Sequence, residues 1–89
     1  MLELSKDAAR LVRKLVSGSA LPATSGLRVG TKDDSRTLAM SLQAEPMGDD
    51  LILERDGAAV WVSPKAAERL EDQTLEAALE PRPAFFITT

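Results

Sequence analysis

Two pairs of adjacent carboxylates, Asp33-Asp34 and Asp49-Asp50, are the residues whose type and spacing come nearest to catalytic machinery. Neighbouring carboxyl groups can divide general-acid and general-base work when their surroundings drive their pKa values apart. That requires desolvation or a like charge held close. Both pairs fall instead among turn-forming residues, Lys32 to Arg36 and Glu45 to Asp50, where aspartate side chains satisfy nearby backbone N–H groups. Glu45, Asp49 and Asp50 offer oxygen ligands to a hard cation, but not at the spacing of a calcium-binding EF-hand loop. Gly26-Leu27-Arg28-Val29-Gly30-Thr31-Lys32 mixes glycines with basic side chains. Its glycines bracket a strand rather than a strand-to-helix turn, so their N–H groups would not converge on a phosphate. These patterns assign no catalytic, cofactor-binding or metal-ligating residue.

The sequence contains no cysteine and no histidine. Without thiolate or imidazole there is no conventional zinc site, no thiol redox centre and no Ser–His or Cys–His nucleophile pair. Disulfides are equally excluded, so packing alone must hold the chain together. The expectation is therefore a protein that is not an enzyme and carries no cofactor. The alternative is a small-ligand binder, or an enzyme working through Asp and Glu.

A net charge of −3 and a pI near 4.8 speak against nucleic acid and anionic membrane surfaces as partners. The longest apolar run, Ala58 to Val62, is far short of the roughly 20 residues of a membrane span. Met1 to Asp7 has no apolar stretch of signal-peptide length, and cytoplasmic residence is expected. Two features suit contact with another protein. Arg10, Arg13 and Lys14, with Lys6, gather positive charge on one helix face, although a solvated face is the ordinary reading of such a pattern. Trp61 and Phe86 are two of only three aromatic residues, the other being Phe85, and core burial competes with surface contact for them. A C-terminal strand with aromatics on both faces would also make an edge through which two copies could pair.

The elements that must position these groups are legible from periodicity. Residues 5–17 read as a helix capped by Ser5 and ended by Gly18, with Ala8, Leu11, Val12, Leu15 and Val16 on one face. A loop rich in small residues follows, from which Leu21 could tuck under the helix. Leu27 and Val29 alternate on a strand, as do Leu38, Met40 and Leu42, and the pair reads as an antiparallel hairpin. Asp56-Gly57 between Leu51–Glu54 and Ala59–Val62 marks a second hairpin, since a type I′ turn needs positive φ at both central residues. In that hairpin Trp61 points away from Val60 and Val62, so either both sheet faces are covered or Trp61 is a surface anchor. Ser63-Pro64 starts a short helix ending near Leu70. Residues 73–79 suit a helix by propensity and a strand by alternation, and Ala84 to Thr89 read as a final strand.

Taken in order, these pieces resemble the A-type iron–sulfur carriers, the HesB-like or IscA-like domains. The resemblance is carried by Leu4-Ser5 with Ala8-Ala9, by Gly26-Leu27-Arg28-Val29-Gly30, and by Glu45-Pro46 with Asp49-Asp50. It continues through Asp56-Gly57 before Val60-Trp61-Val62, the small helix ending in Leu70, and Phe85-Phe86-Ile87-Thr88. It implies a single domain over residues 1–89, mostly β (α+β), with curled mixed sheets, a leading helix and one short internal helix. It also draws residues 73–79 towards strand. The family holds its cluster on three cysteines, one in a turn after the first strand and two in a Cys-Gly-Cys tail. This chain has Asp33-Asp34-Ser35 at the first position and stops at Thr89 before the tail. The resemblance thus implies a degenerate, cysteine-less member with an accessory role related to iron–sulfur assembly, acting through a protein partner or through a second copy of itself.

Overall fold

Ser5 opens the leading helix by a purely local interaction. Its Oγ accepts the Ala8 N–H at 3.0 Å, and α1 (Lys6–Ser17) follows with Asp7 in the first turn. The computed structural model describes residues 1–32 and 37–89. Gly18 closes α1, its N–H donating to Lys14 O at 3.0 Å. Ala8, Ala9, Leu11, Val12 and Val16 are buried, but Leu15 is 38% exposed, contrary to its place in the expected stripe. Periodicity fixes the angle of a side chain around the axis, not whether anything lies opposite that turn. Leu21 is likewise exposed and does not tuck under the helix.

Two hairpins form the larger sheet. β2 (Gly26–Thr31) pairs antiparallel with β3 (Leu38–Gln43), from Gly26↔Gln43 to Thr31↔Leu38. β4 (Leu51–Arg55) pairs antiparallel with β5 (Ala58–Val62) through Asp56 and Gly57, whose φ values of 50° and 82° are those the turn demands. A parallel pairing of β2 with β5, Leu27↔Val60 and Val29↔Val62, joins the hairpins in the order β3-β2-β5-β4. Leu27, Val29, Leu53, Val60 and Val62 thereby share the inner face, against which α1 packs. Arg28, Ile52 and Trp61 share the outer one. At Gly26 the strands approach so closely that a Cβ would stand 2.7 Å from Ala59 O.

Ser63 caps α2 (Pro64–Arg69) by accepting the Ala66 N–H at 3.2 Å, with Pro64 at the start. Residues 73–79 then contain a strand, β6 (Thr74–Ala78), against their helical propensity. β6 is the centre of a second sheet, with β7 (Ala84–Thr88) antiparallel on one side and β1 (Glu3–Leu4) parallel on the other. Ladders on both edges, together with burial of Leu75 and Ala77, outweigh the small preference of Glu, Ala and Leu for helix. β1 has no periodicity to betray it. It is fixed by Glu3 N–H to Gln73 O at 2.9 Å and Ser5 N–H to Leu75 O at 3.0 Å. One apolar cluster runs from Leu2 and Leu4 through α1 to both sheets. The fold is mostly β, α+β, as expected.

Candidate functional site

The carboxylate pair Asp49-Asp50 does not act as a pair. Asp50 Oδ2 accepts Arg28 Nε–H at 3.0 Å and the Met47 N–H at 2.9 Å, while Oδ1 accepts Arg28 Nη2–H at 3.1 Å. The Asp50 side chain is 1% exposed, whereas Asp49 faces solvent. The Arg28 hydrogen bonds hold the Asp50 carboxyl below its ordinary pKa, against the opposing effect of burial and with help from the Met47 N–H. An acid so committed neither gives nor takes a proton near neutral pH. The pair Asp33-Asp34 lies outside the described residues. Among the described residues no group of three or more acidic side chains converges where a metal ion could sit.

Gly26 to Thr31 form a strand, as the bracketing glycines suggested. Gly30 serves Arg28: a Cβ there would stand 2.9 Å from Arg28 Nη1.

Arg10, Arg13 and Lys14 all lie exposed on α1. Arg13 is partly committed, because its Nη1–H donates to Asp56 O at 2.9 Å and ties the helix to the β4–β5 turn. Phe86 is 44% exposed on β7, while its neighbours Phe85 and Ile87 pack against the core. Trp61 corrects the surface reading: at 5% exposure on the outer face of β5 it offers nothing for a partner to meet. Its register neighbours on that face are Arg28 and the exposed Ile52. The basic groups and Phe86 belong to different elements, α1 and β7.

One residue escaped sequence reading altogether. Ser25 Oγ is buried with no hydrogen-bond partner among the described residues, and the residue lies at the edge of a half-open cleft of about 180 Å³ between α1 and the start of β2. A lone serine in a loop of small residues carries no periodic or motif signal. A broader trough of about 480 Å³ runs beside Leu2 to Lys6, where Arg55 Nη1–H is already spent on Leu4 O at 2.9 Å.

No protein-family model matches this sequence, and no curated protein matches it. Solved structures do. SufA of Escherichia coli, described as involved in biosynthesis of iron–sulfur clusters, superposes with a TM-score of 0.77 at 28% identity. That match covers 99% of this chain and 84% of SufA. IscA, solved with a 2Fe–2S cluster, superposes with a TM-score of 0.73 at 21% identity, covering 100% of this chain and 85% of IscA. The donor set does not fit such a cluster. Iron–sulfur centres take thiolates, or imidazole in part, and these 89 residues contain neither cysteine nor histidine. This chain is therefore similar in fold to the A-type iron–sulfur carriers SufA and IscA, and it contains no cysteine.

Proposed function

We propose that this chain is a non-catalytic accessory protein related to iron–sulfur assembly, which works by binding another protein and not by holding a cluster on its own side chains. One observation carries the reading: the likeness to SufA spans 99% of the chain while thiolate and imidazole donors are wholly absent. The exposed cations of α1, Arg10 and Lys14 foremost, give an acidic partner a surface to meet, and Phe86 adds an apolar contact on β7. The alternative built on paired carboxylates is disfavoured by the commitment of Asp50 to Arg28. Among the described residues no helix is long and apolar enough to cross a membrane.

Anaerobic incubation with ferrous iron, sulfide and a thiol reductant, followed by desalting, tests the first half of the proposal. Recovery of colourless protein is expected, and stoichiometric bound iron with thiolate-to-iron absorption would overturn it. The second half is tested by co-purification on the tagged chain at low and high salt. An acidic partner lost at high salt and lost again in Arg10→Glu/Lys14→Glu is expected. Recovery unaffected by either change removes the basic face from the proposal.

A further inference from the structure

β7 ends the smaller sheet, whose order is β1-β6-β7, so one edge of its backbone has no strand partner among the described residues. Which groups lie on that edge follows from β6. Gln73 O and Leu75 O accept the Glu3 and Ser5 N–H groups, so the odd-numbered residues of this segment turn their backbone polar groups towards β1. Thr74, Glu76 and Ala78 therefore bond to β7, and the register Glu76↔Phe86 assigns Ala84, Phe86 and Thr88 to those bonds. Phe85 and Ile87 are left, each presenting an N–H and a C=O to the open edge.

Such edges are ordinarily guarded by charge, proline or a bulge. Between Arg82 and Thr89 there is no charged residue, in a chain that is 28% charged, and Pro83 stands just outside β7. The other edges differ. β4 carries Glu54 and Arg55, and β1 is two residues long with Leu4 O already accepting from Arg55. β3 turns only Ala39, Ser41 and Gln43 to the outer face, where pairing would cover little apolar surface. β7 instead turns the exposed Phe86 outward. Antiparallel pairing of two β7 strands about a twofold axis at Phe86 sets Phe85 of each copy opposite Ile87 of the other. Every free backbone group of Phe85 and Ile87 is then used, and the two Phe86 side chains meet at the axis, where a non-hydrogen-bonded pair brings them closest. An axis at Phe85 would set Pro83, which has no N–H, opposite Ile87. An axis at Ile87 would set Phe86 against Thr88 and part the rings. We propose that the open edge of β7 binds a second copy of this chain, joining two three-stranded sheets into one across a twofold axis at Phe86. Each copy has one such edge, so assembly closes at two. The α1 cations take no part, so this pairing can fail while the reading built on Arg10 and Lys14 stands.

Sedimentation equilibrium of the full chain, from about 1 to about 500 µM, tests the assembly. Mass should rise from 9.6 kDa towards twice that value and stop there, with Kd on the order of 100 µM, the scale of a small interface. Phe86→Glu, which sets like charges face to face, should raise Kd about 10-fold or more. Arg10→Glu should leave it within about twofold. Disulfide trapping reads the register, and the absence of native cysteine keeps it clean. Phe86→Cys places two Cα atoms about 4.5 Å apart, within disulfide reach, whereas Thr88→Cys places them about 14 Å apart. Mild oxidation should cross-link the first variant and spare the second. Should a Phe86 variant not fold, the mass of the parent chain decides. A single-chain mass throughout, growth beyond two chains, a dimer indifferent to Phe86→Glu, or equal cross-linking of both cysteine variants overturns the proposal.

Discussion

Arg28 on β2 and Asp50 at the entrance to β4 are joined by two parallel hydrogen bonds of 3.0 and 3.1 Å across the outer face of the four-stranded sheet. The pair pins the β3–β4 connection onto the sheet, and Asp50 repeats the pinning locally by accepting the Met47 N–H. An arginine and an aspartate that sequence alone lists as a basic strand residue and half of an acidic turn are one structural device.

This pair makes stability acid-sensitive. Asp50 has its pKa lowered from 3.8 in the fold, so its contribution is complete above the unfolded value and is lost as pH falls through the lower folded one. Melting temperature should therefore decline below about pH 4 through this group. Asp50→Asn should be less stable at neutral pH and lose less on acidification. Arg28→Ala, which removes both charge-assisted hydrogen bonds from the Asp50 carboxylate, should cost about 1–3 kcal/mol in denaturant unfolding.

Two glycines of β2 should respond differently to alanine. At Gly26 the new Cβ meets the Ala59 carbonyl, which is backbone and cannot swing away, so a loss of about 1–3 kcal/mol is expected. At Gly30 it meets the end of the flexible Arg28 side chain. The cost there should come through the ion pair, so Gly30→Ala and Asp50→Asn should combine less than additively in a double-mutant cycle.

The β4–β5 turn should tolerate asparagine and reject alanine. Gly57 sits at φ 82°, where a Cβ is strained, and Gly57→Ala should cost about 1–2 kcal/mol by urea unfolding. Asp56 is at φ 50°, which asparagine adopts readily, so Asp56→Asn should stay within about 0.5 kcal/mol of the parent.

The smaller sheet should show opposite sensitivities on adjacent strands. Leu75 on β6 is fully buried, and Leu75→Ala should cost about 2–5 kcal/mol. Phe86 on β7 is largely outside the core, so Phe86→Ser should cost under about 1 kcal/mol by the same measurement. Comparable losses at both positions would contradict the register Leu75↔Ile87 that turns Phe86 outward.

Local chemistry determined a good part of this molecule from the sequence alone. Ser5 and Ser63 as helix caps, Asp56-Gly57 as a tight turn and the alternation along β2, β3 and β5 depend on near neighbours, and the structure has them where the residues demand. Absence of cysteine and histidine determined the chemistry that these residues cannot do. Tertiary structure alone decided that Thr74–Ala78 extend between β1 and β7, that β2 lies parallel to β5, and that Trp61 is covered while Leu15 is not. It also decided that Asp50 answers to Arg28. Each of these depends on partners distant in the chain, and burial and pairing energies there exceed the propensities of the residues themselves.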